Sequence, residues 1–405
     1  MIPANPPRTE ETIRLADLWV IRLYYFALVG GAGFISPFLN LFYARQGLSG
    51  EQIGWVAGVG SLVAIIAAPL WTRQVNSSAH PRRLLQGSTL LYGLLFLWIG
   101  QQTRFLWIAA LTAVRVLVTA GISPLSDALA VRVANATRAG YGSIRVWGSL
   151  GWAVFALASG WLMERLGIKI GFVGVTIAML VGALLLFGLD MPMLQPSAGR
   201  PTVSGGFRQA SRLIARNPVL VGLALMYLFI GIANAGVSQF ETIYLSQLGA
   251  REGLIGVAGM VSSVVELAGM LWADRLISRK GPARILMLAM LMNAGLRASV
   301  FFFPGVATII AARAAGGISF SMYTVAIVRL IVEQTPPEET ATTLALFTVT
   351  LVSTIGFLGN PIAGFLFDRF GPHWLYPISV IGYLLAWTAL RLTRAAPIVE
   401  TVPGT

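Results

Sequence analysis

Twelve runs of about 20 apolar residues recur along the chain, and a helix of that length spans the hydrocarbon core of a bilayer. They lie near 19–43, 52–72, 84–101, 105–131, 141–163, 168–189, 218–245, 253–273, 283–303, 305–330, 341–366 and 374–393. Turn residues such as Pro81, Pro282, Pro304 and the pair Pro336–Pro337 separate them. Only 11% of the residues are charged, against roughly 25% in a soluble domain. The chain therefore reads as an all-α polytopic membrane protein. Its opening stretch, "MIPANPPRTEETIRLAD", has no short apolar region followed by a small-residue cleavage site. It does not read as a signal peptide, and the first span is expected to be retained.

An even number of spans puts both termini on one side. If that side is the cytoplasm, the even-numbered connections and the termini hold 18 Lys or Arg residues. The opposite side holds six: Arg45, Arg104, Arg165, Lys169, Arg251 and Arg369. The asymmetry predicts cytoplasmic termini. It also accounts for the net charge of +13 without nucleic acid as a partner. The longest connection follows span six and is rich in Pro, Gly and Ser, as in "MLQPSAGRPTVSGG". The expected organisation is a six-helix bundle over 1–190, a cytoplasmic linker over 191–217 and a second bundle over 218–405. Arg208, Arg212 and Arg216 recur every fourth residue at the linker's end. That face suits anionic lipid or is an ordinary basic loop.

The two halves repeat. "SGWLMERLG" at 159–167 matches "AGFLFDRFG" at 363–371, pairing Gly160 with Gly364, Glu164 with Asp368, Arg165 with Arg369 and Gly167 with Gly371. "APLWTRQ" at 68–74 matches "GMLWADR" at 269–275, and "GIS" recurs at 121–123 and 317–319. Three similar offsets in the same order predict two pseudo-symmetric bundles. "GMLWADRLISRKG" at 269–281 also resembles the loop signature of the major facilitator superfamily. There the glycine permits close helix packing, and Asp274 with Arg275 is a candidate conformational latch. The first-half copy departs from the pattern, with Arg73 where the second has Asp274.

Charges at bilayer depth are costly and mark candidate sites. The bases are Arg22, Arg115, Arg145, Arg297 and Arg313; the acids are Asp127, Glu266 and, near a span end, Glu241. Arg22 reads as an interfacial anchor, and Arg115 and Arg313 as gating or structural groups. Asp127 and Arg145 flank one short connection at similar depth, so an ion pair is expected. Arg145, Gly148, Trp152, Ala156 and Ser159 share one helical face, which is expected to line a cavity. Trp152 lies about 10 Å beyond Arg145 along the axis, in reach of a ring whose oxygens Arg145 binds. The bland alternative is a pair that staples two helices. Glu266 and Arg297 form a second candidate pair, although helix rise separates them by roughly 10 Å along the membrane normal.

"YGSIRVWGSLGW" at 141–152 resembles the helix-five segment of lactose-permease-type proton symporters, which runs aromatic-Gly-x-x-Arg-x-aromatic-Gly-x-x-Gly-Trp. The spacing from Asp127 to Arg145, the "VEL" around Glu266 and the position of Arg297 are similar to that family too, as are the related phenylpropionate and nucleoside permeases. The resemblance covers essentially the whole chain. It implies the major facilitator fold in the bacterial inner membrane. It also implies proton-coupled uptake of a sugar, nucleoside or aromatic acid. A monomer is expected, with no cofactor and no metal. Asp127, Arg145, Trp152 and Glu266 would then bind substrate, and Glu266, Arg297 and Asp127 would couple protons. One departure is specific. Gly317 and Phe320 stand where the lactose permease pattern has a His and a Glu on helix ten. The proton then falls to Glu266 or Asp127, or the coupling differs, and a galactoside substrate is doubtful.

Other classes fare worse. An intramembrane enzyme needs a His-based dyad, a metal site or paired aspartates. The chain has no cysteine, and its two histidines, His80 and His373, fall in predicted loops. Export is the alternative direction, but span five lacks the Gly-x-x-x-Gly-Pro pattern of drug antiporters. A sensor or scaffold of the same architecture is the third reading.

Overall fold

The computed structural model describes residues 15–77, 81–137, 139–189 and 203–395. Among the described residues, helices occupy all twelve predicted positions, and eleven are long and apolar enough to cross a membrane. In order they are α1 (Ala16–Arg45), α2 (Gly50–Trp71), α3 (Pro81–Ile99), α4 (Phe105–Thr137), α5 (Tyr141–Leu166), α6 (Ile170–Gly188), α7 (Pro218–Gln247), α8 (Glu252–Lys280), α9 (Pro282–Phe302), α10 (Val306–Gln334), α11 (Pro337–Phe370) and α12 (Pro372–Thr393). The exception by composition is α3. Its first turn carries Arg82 and Arg83, and Gln86, Ser88 and Thr89 lie on its buried face. The linker residues 190–202 and the Arg73 and Arg208 side chains lie outside the described residues. A helix at Val203–Arg216 leads into α7.

Several spans are interrupted. A 3-10 turn at Ser36–Phe38 breaks α1 where Pro37 has no N–H to give. A turn at Ala120 and Gly121 divides α4. Asn234 divides α7, and a π-helical turn at Leu346–Leu351 widens α11. The repeated ends of α5 and α11 close alike: Gly167 and Gly371 take φ of 86° and 79°, a conformation that costs glycine little.

Glycine sets the helix spacing, as expected where apolar burial cannot drive helices together in lipid. Helix α1 lies along α5, where a Cβ on Gly151 would fall 2.3 Å from the Phe26 carbonyl oxygen. Helices α1–α6 pack largely among themselves, as do α7–α12. The two sets meet chiefly through α2 on α11 and α5 on α8. Their hydrogen bonds and ion pairs gather at one end, which bears the α1–α2, α5–α6, α7–α8 and α11–α12 turns. There Arg45 meets Glu252 at 2.5 Å, and Asn40 donates to the Gln239 carbonyl at 2.9 Å. Asn360, which accepts from Gln239 of its own set at 3.2 Å, donates across to Ser61 of α2 at 3.4 Å. Trp98, Trp107, Trp161 and Trp374 are exposed around the same end, as in an interfacial aromatic belt.

Candidate functional site

The turn at Gly121 is where α2 meets α4. A Cβ there would fall 2.1 Å from the Trp71 ring, and the Trp71 indole N–H donates to the Leu117 carbonyl at 2.5 Å. The second segment of α4, Ile122–Thr137, starts from this turn and carries Asp127 in its second turn. Adjacent tyrosines of α1 grip it. Tyr24 shares its hydroxyl with Ser126 at 3.1 Å and Thr89 at 3.3 Å, and Tyr25 donates to Asp127 Oδ1 at 2.6 Å.

Helix α5 completes the group. Tyr141 donates to the same Asp127 oxygen at 2.7 Å, and Arg145 Nη1 donates to the Tyr141 hydroxyl at 3.0 Å. Arg145 itself stands 3.8 Å from Asp127 Oδ1. Arginine and aspartate are thus an ion pair bridged by a phenol. Both keep free surface, 65% for the Arg145 side chain and 40% for Asp127. Tyr25 lies 15 residues before Asn40 on α1, so the pair sits about 22 Å from the end where Asn40 and Arg45 contact the other set, the closed end. The two exposed side chains therefore lie away from the end where the described hydrogen bonds and ion pairs join the two helix sets.

The rest of the predicted face is divided. Gly148 is buried against Val29 and Tyr25 of α1, and Ala156 against Gly259 of α8. Ser159 is buried too. These three do not line an open cavity. Trp152 lies across Gly33 of α1 and keeps partial exposure, as Arg145 does.

The expected Glu266–Arg297 pair does not form. Arg297 Nη1 instead contacts Glu241 Oε2 at 3.0 Å, Arg313 Nε binds Glu241 Oε1, and Tyr376 donates to Oε2 at 3.2 Å. Glu241 is 6% exposed. One carboxylate of α7 therefore ties α9, α10 and α12 together, consistent with the depth arithmetic that separated Arg297 from Glu266. Among the described residues no hydrogen bond or ion pair reaches the Glu266 carboxylate, which is partly exposed. Its backbone touches α10: Ser321 donates to the Glu266 carbonyl at 2.7 Å, and a Cβ on Gly317 would fall 2.9 Å from the Glu266 nitrogen. The position that lacks the lactose-type histidine is a helix crossing.

Arg115 lies over Phe96 at 4.9 Å, and Arg22 over Trp19 at 5.1 Å with a bond to Ser143 at 3.3 Å. Of the candidate latch, Asp274 meets Arg329 of α10 at 3.9 Å with both side chains more than half exposed, and Arg275 is exposed. That contact stays within α7–α12 and joins nothing across the two sets. His373 stacks on Phe301 at 4.7 Å and bonds the Tyr244 hydroxyl at 3.2 Å.

Comparison with known proteins agrees with this architecture. The MFS_1 like family model matches residues 18–378. A maltose permease of Geobacillus stearothermophilus is 33% identical over 281 residues, 68% of each chain. A probable 3-phenylpropionic acid transporter of Escherichia coli (strain K12) is 25% identical over 66% of this chain and 70% of its own. The crystal structure of the nucleoside transporter NupG superposes with a TM-score of 0.79 at 14% identity, covering 94% of this chain and all of that one. The chain belongs to the MFS_1 like family, within the major facilitator superfamily of multi-pass membrane transporters.

Proposed function

We propose that this transporter is a secondary carrier that takes up a small hydroxylated organic solute, a sugar or nucleoside, together with protons. The reading places α1–α6 and α7–α12 as two bundles that rock about a central site. It places the termini in the cytoplasm of a bacterial inner membrane, on the strength of the loop-charge asymmetry. The closed end is then extracellular, and the exposed Asp127–Arg145 pair faces inward.

The observation that carries the reading is the phenol-bridged pair. Asp127 Oδ1 is occupied by tyrosine donors and one Arg145 nitrogen by a tyrosine oxygen, while the remaining guanidinium edge stays open. The group offers acceptor and donor side by side with no net charge. Such a surface matches adjacent hydroxyls better than a lone carboxylate, which would compete with Asp127 for Arg145. Trp152 supplies a ring face two turns away. The likeness to a maltose permease points the same way, and the likeness to a phenylpropionic acid transporter keeps aromatic acids on the test panel. Glu266, the unengaged carboxylate, carries the proton in this scheme; Arg297 and Glu241 hold helices.

The test is uptake into proteoliposomes under an imposed proton gradient, with maltose, uridine and 3-phenylpropionate as probes. Accumulation of maltose or uridine with substrate-induced alkalinisation supports the reading. Accumulation of 3-phenylpropionate alone, or of none with a gradient-independent leak, contradicts it.

A further inference from the structure

At the closed end the repeated acids do something the repeat alone did not reveal. Asp368, at the C-terminal end of α11, accepts from the backbone N–H of Gly50 at 2.7 Å and of Glu51 at 2.8 Å. These are the first residues of α2, in the opposite helix set. Glu164, the repeat partner of Asp368 on α5, accepts from the N–H of Gly253 at 3.2 Å, in the first turn of α8, and meets Arg251 at 3.4 Å. Each set gives one carboxylate and receives one.

The matched glycines make the approach possible. A Cβ on Gly364 would fall 2.2 Å from the Gly50 carbonyl oxygen, and one on Gly160 would fall 2.5 Å from that of Glu252. In both copies a glycine of the donor helix touches the first residue of the receiving helix. The acid one turn later then reaches its free N–H groups. Those N–H groups have no partner within their own helix, and a carboxylate is favoured there by the helix dipole. The bonds exist only while the two sets are together at this end.

We propose that Glu164 and Asp368 form a reciprocal pair of caps that clamps this end shut and sets the balance between the two access states. This rests on the alternating-access reading, with the clamp broken and remade once per cycle. The two copies are unequal. Asp368 holds two N–H groups at short distance, whereas Glu164 holds one at longer distance beside an exposed arginine. Asp368 is the stronger clamp.

The chain has no cysteine, so paired labels can be introduced without background. One spin-label pair at Gln101→Cys and Gln247→Cys reads the closed end, and another at Ala136→Cys and Ser278→Cys reads the other end. Pulsed distance measurements are made in nanodiscs without substrate. Loss of a helix cap predicts a shift of about fivefold in the ratio of states for Asp368→Ala, and a smaller shift for Glu164→Ala. Longer distances at the closed end should be matched by shorter ones at the other end. The isosteric double variant Asp368→Asn with Glu164→Gln should shift the same way, and its shape conservation guards against simple misfolding. Parent-like distributions at both ends in that folded double variant overturn the proposal. Because no solute is used, this result is separable from uptake: an unchanged balance in a variant that still transports removes the clamp and leaves the transport reading standing.

Discussion

Arg145 reaches Asp127 through Tyr141. The guanidinium lies 3.8 Å from the carboxylate oxygen, while the phenol between them bonds one at 3.0 Å and the other at 2.7 Å. Tyr141 and Arg145 are four apart on α5, so the bridge is built along one helix and closed by α4.

Removing the bridge tests whether it organises the site. Tyr141→Phe keeps the ring and deletes the hydroxyl that orients both charges. Substrate affinity should fall by about tenfold, the equivalent of roughly 1.4 kcal/mol, with the helical content of the protein unchanged. Isothermal titration on the purified protein checks this, and parent affinity in the variant would show the phenol to be a bystander.

Glu241 makes a different prediction. Truncating it to alanine leaves Arg297 and Arg313 without a counter-charge inside α7–α12, which costs about 3–5 kcal/mol. The melting temperature in detergent should drop steeply. A melt within a degree or two of the parent would mean that the two arginines find other partners.

Gly317 is a crossing point, so size is what matters there. Gly317→Ala places a Cβ 2.9 Å from the Glu266 nitrogen and should destabilise by roughly 1–3 kcal/mol. Gly317→His, which restores the residue type of the lactose permease pattern, should destabilise further without conferring new proton coupling. Unimpaired stability in either variant, read by thermal melting, contradicts the tight crossing.

Glu266→Gln should uncouple transport. Exchange of solute across proteoliposomes continues, while the substrate-induced pH change disappears. An undiminished pH change would move the proton to another group.

The twelve helical positions were legible because each depends only on local composition and length. So was the Asp127–Arg145 pairing, since one short connection fixes both depths. The tyrosine bridge was half legible: Tyr141 stands one turn from Arg145, but Tyr25 comes from α1, and nothing local announces a contact across 102 positions. The Glu266–Arg297 pairing failed because depth alone does not choose between two acids. Glu241 sits close to the depth of Arg297 and faces α9, whereas Glu266 lies deeper on α8. The helical face of Arg145, Gly148, Trp152, Ala156 and Ser159 misled for a related reason. A polar or small face can be a helix contact as readily as a cavity wall, and Gly148 and Ala156 are contacts. The repeat of Glu164 and Asp368 was visible in sequence, but its meaning required the partner helices.

In the proposed reading, solute binds at the Asp127–Arg145 pair. Its most direct test is binding of the transported probe to purified Asp127→Asn and Arg145→Lys, since lysine keeps the charge and loses the planar fork. Each variant should stay folded and weaken binding by at least about tenfold, one good charge-assisted hydrogen bond. Parent-like affinity in both folded variants would contradict it.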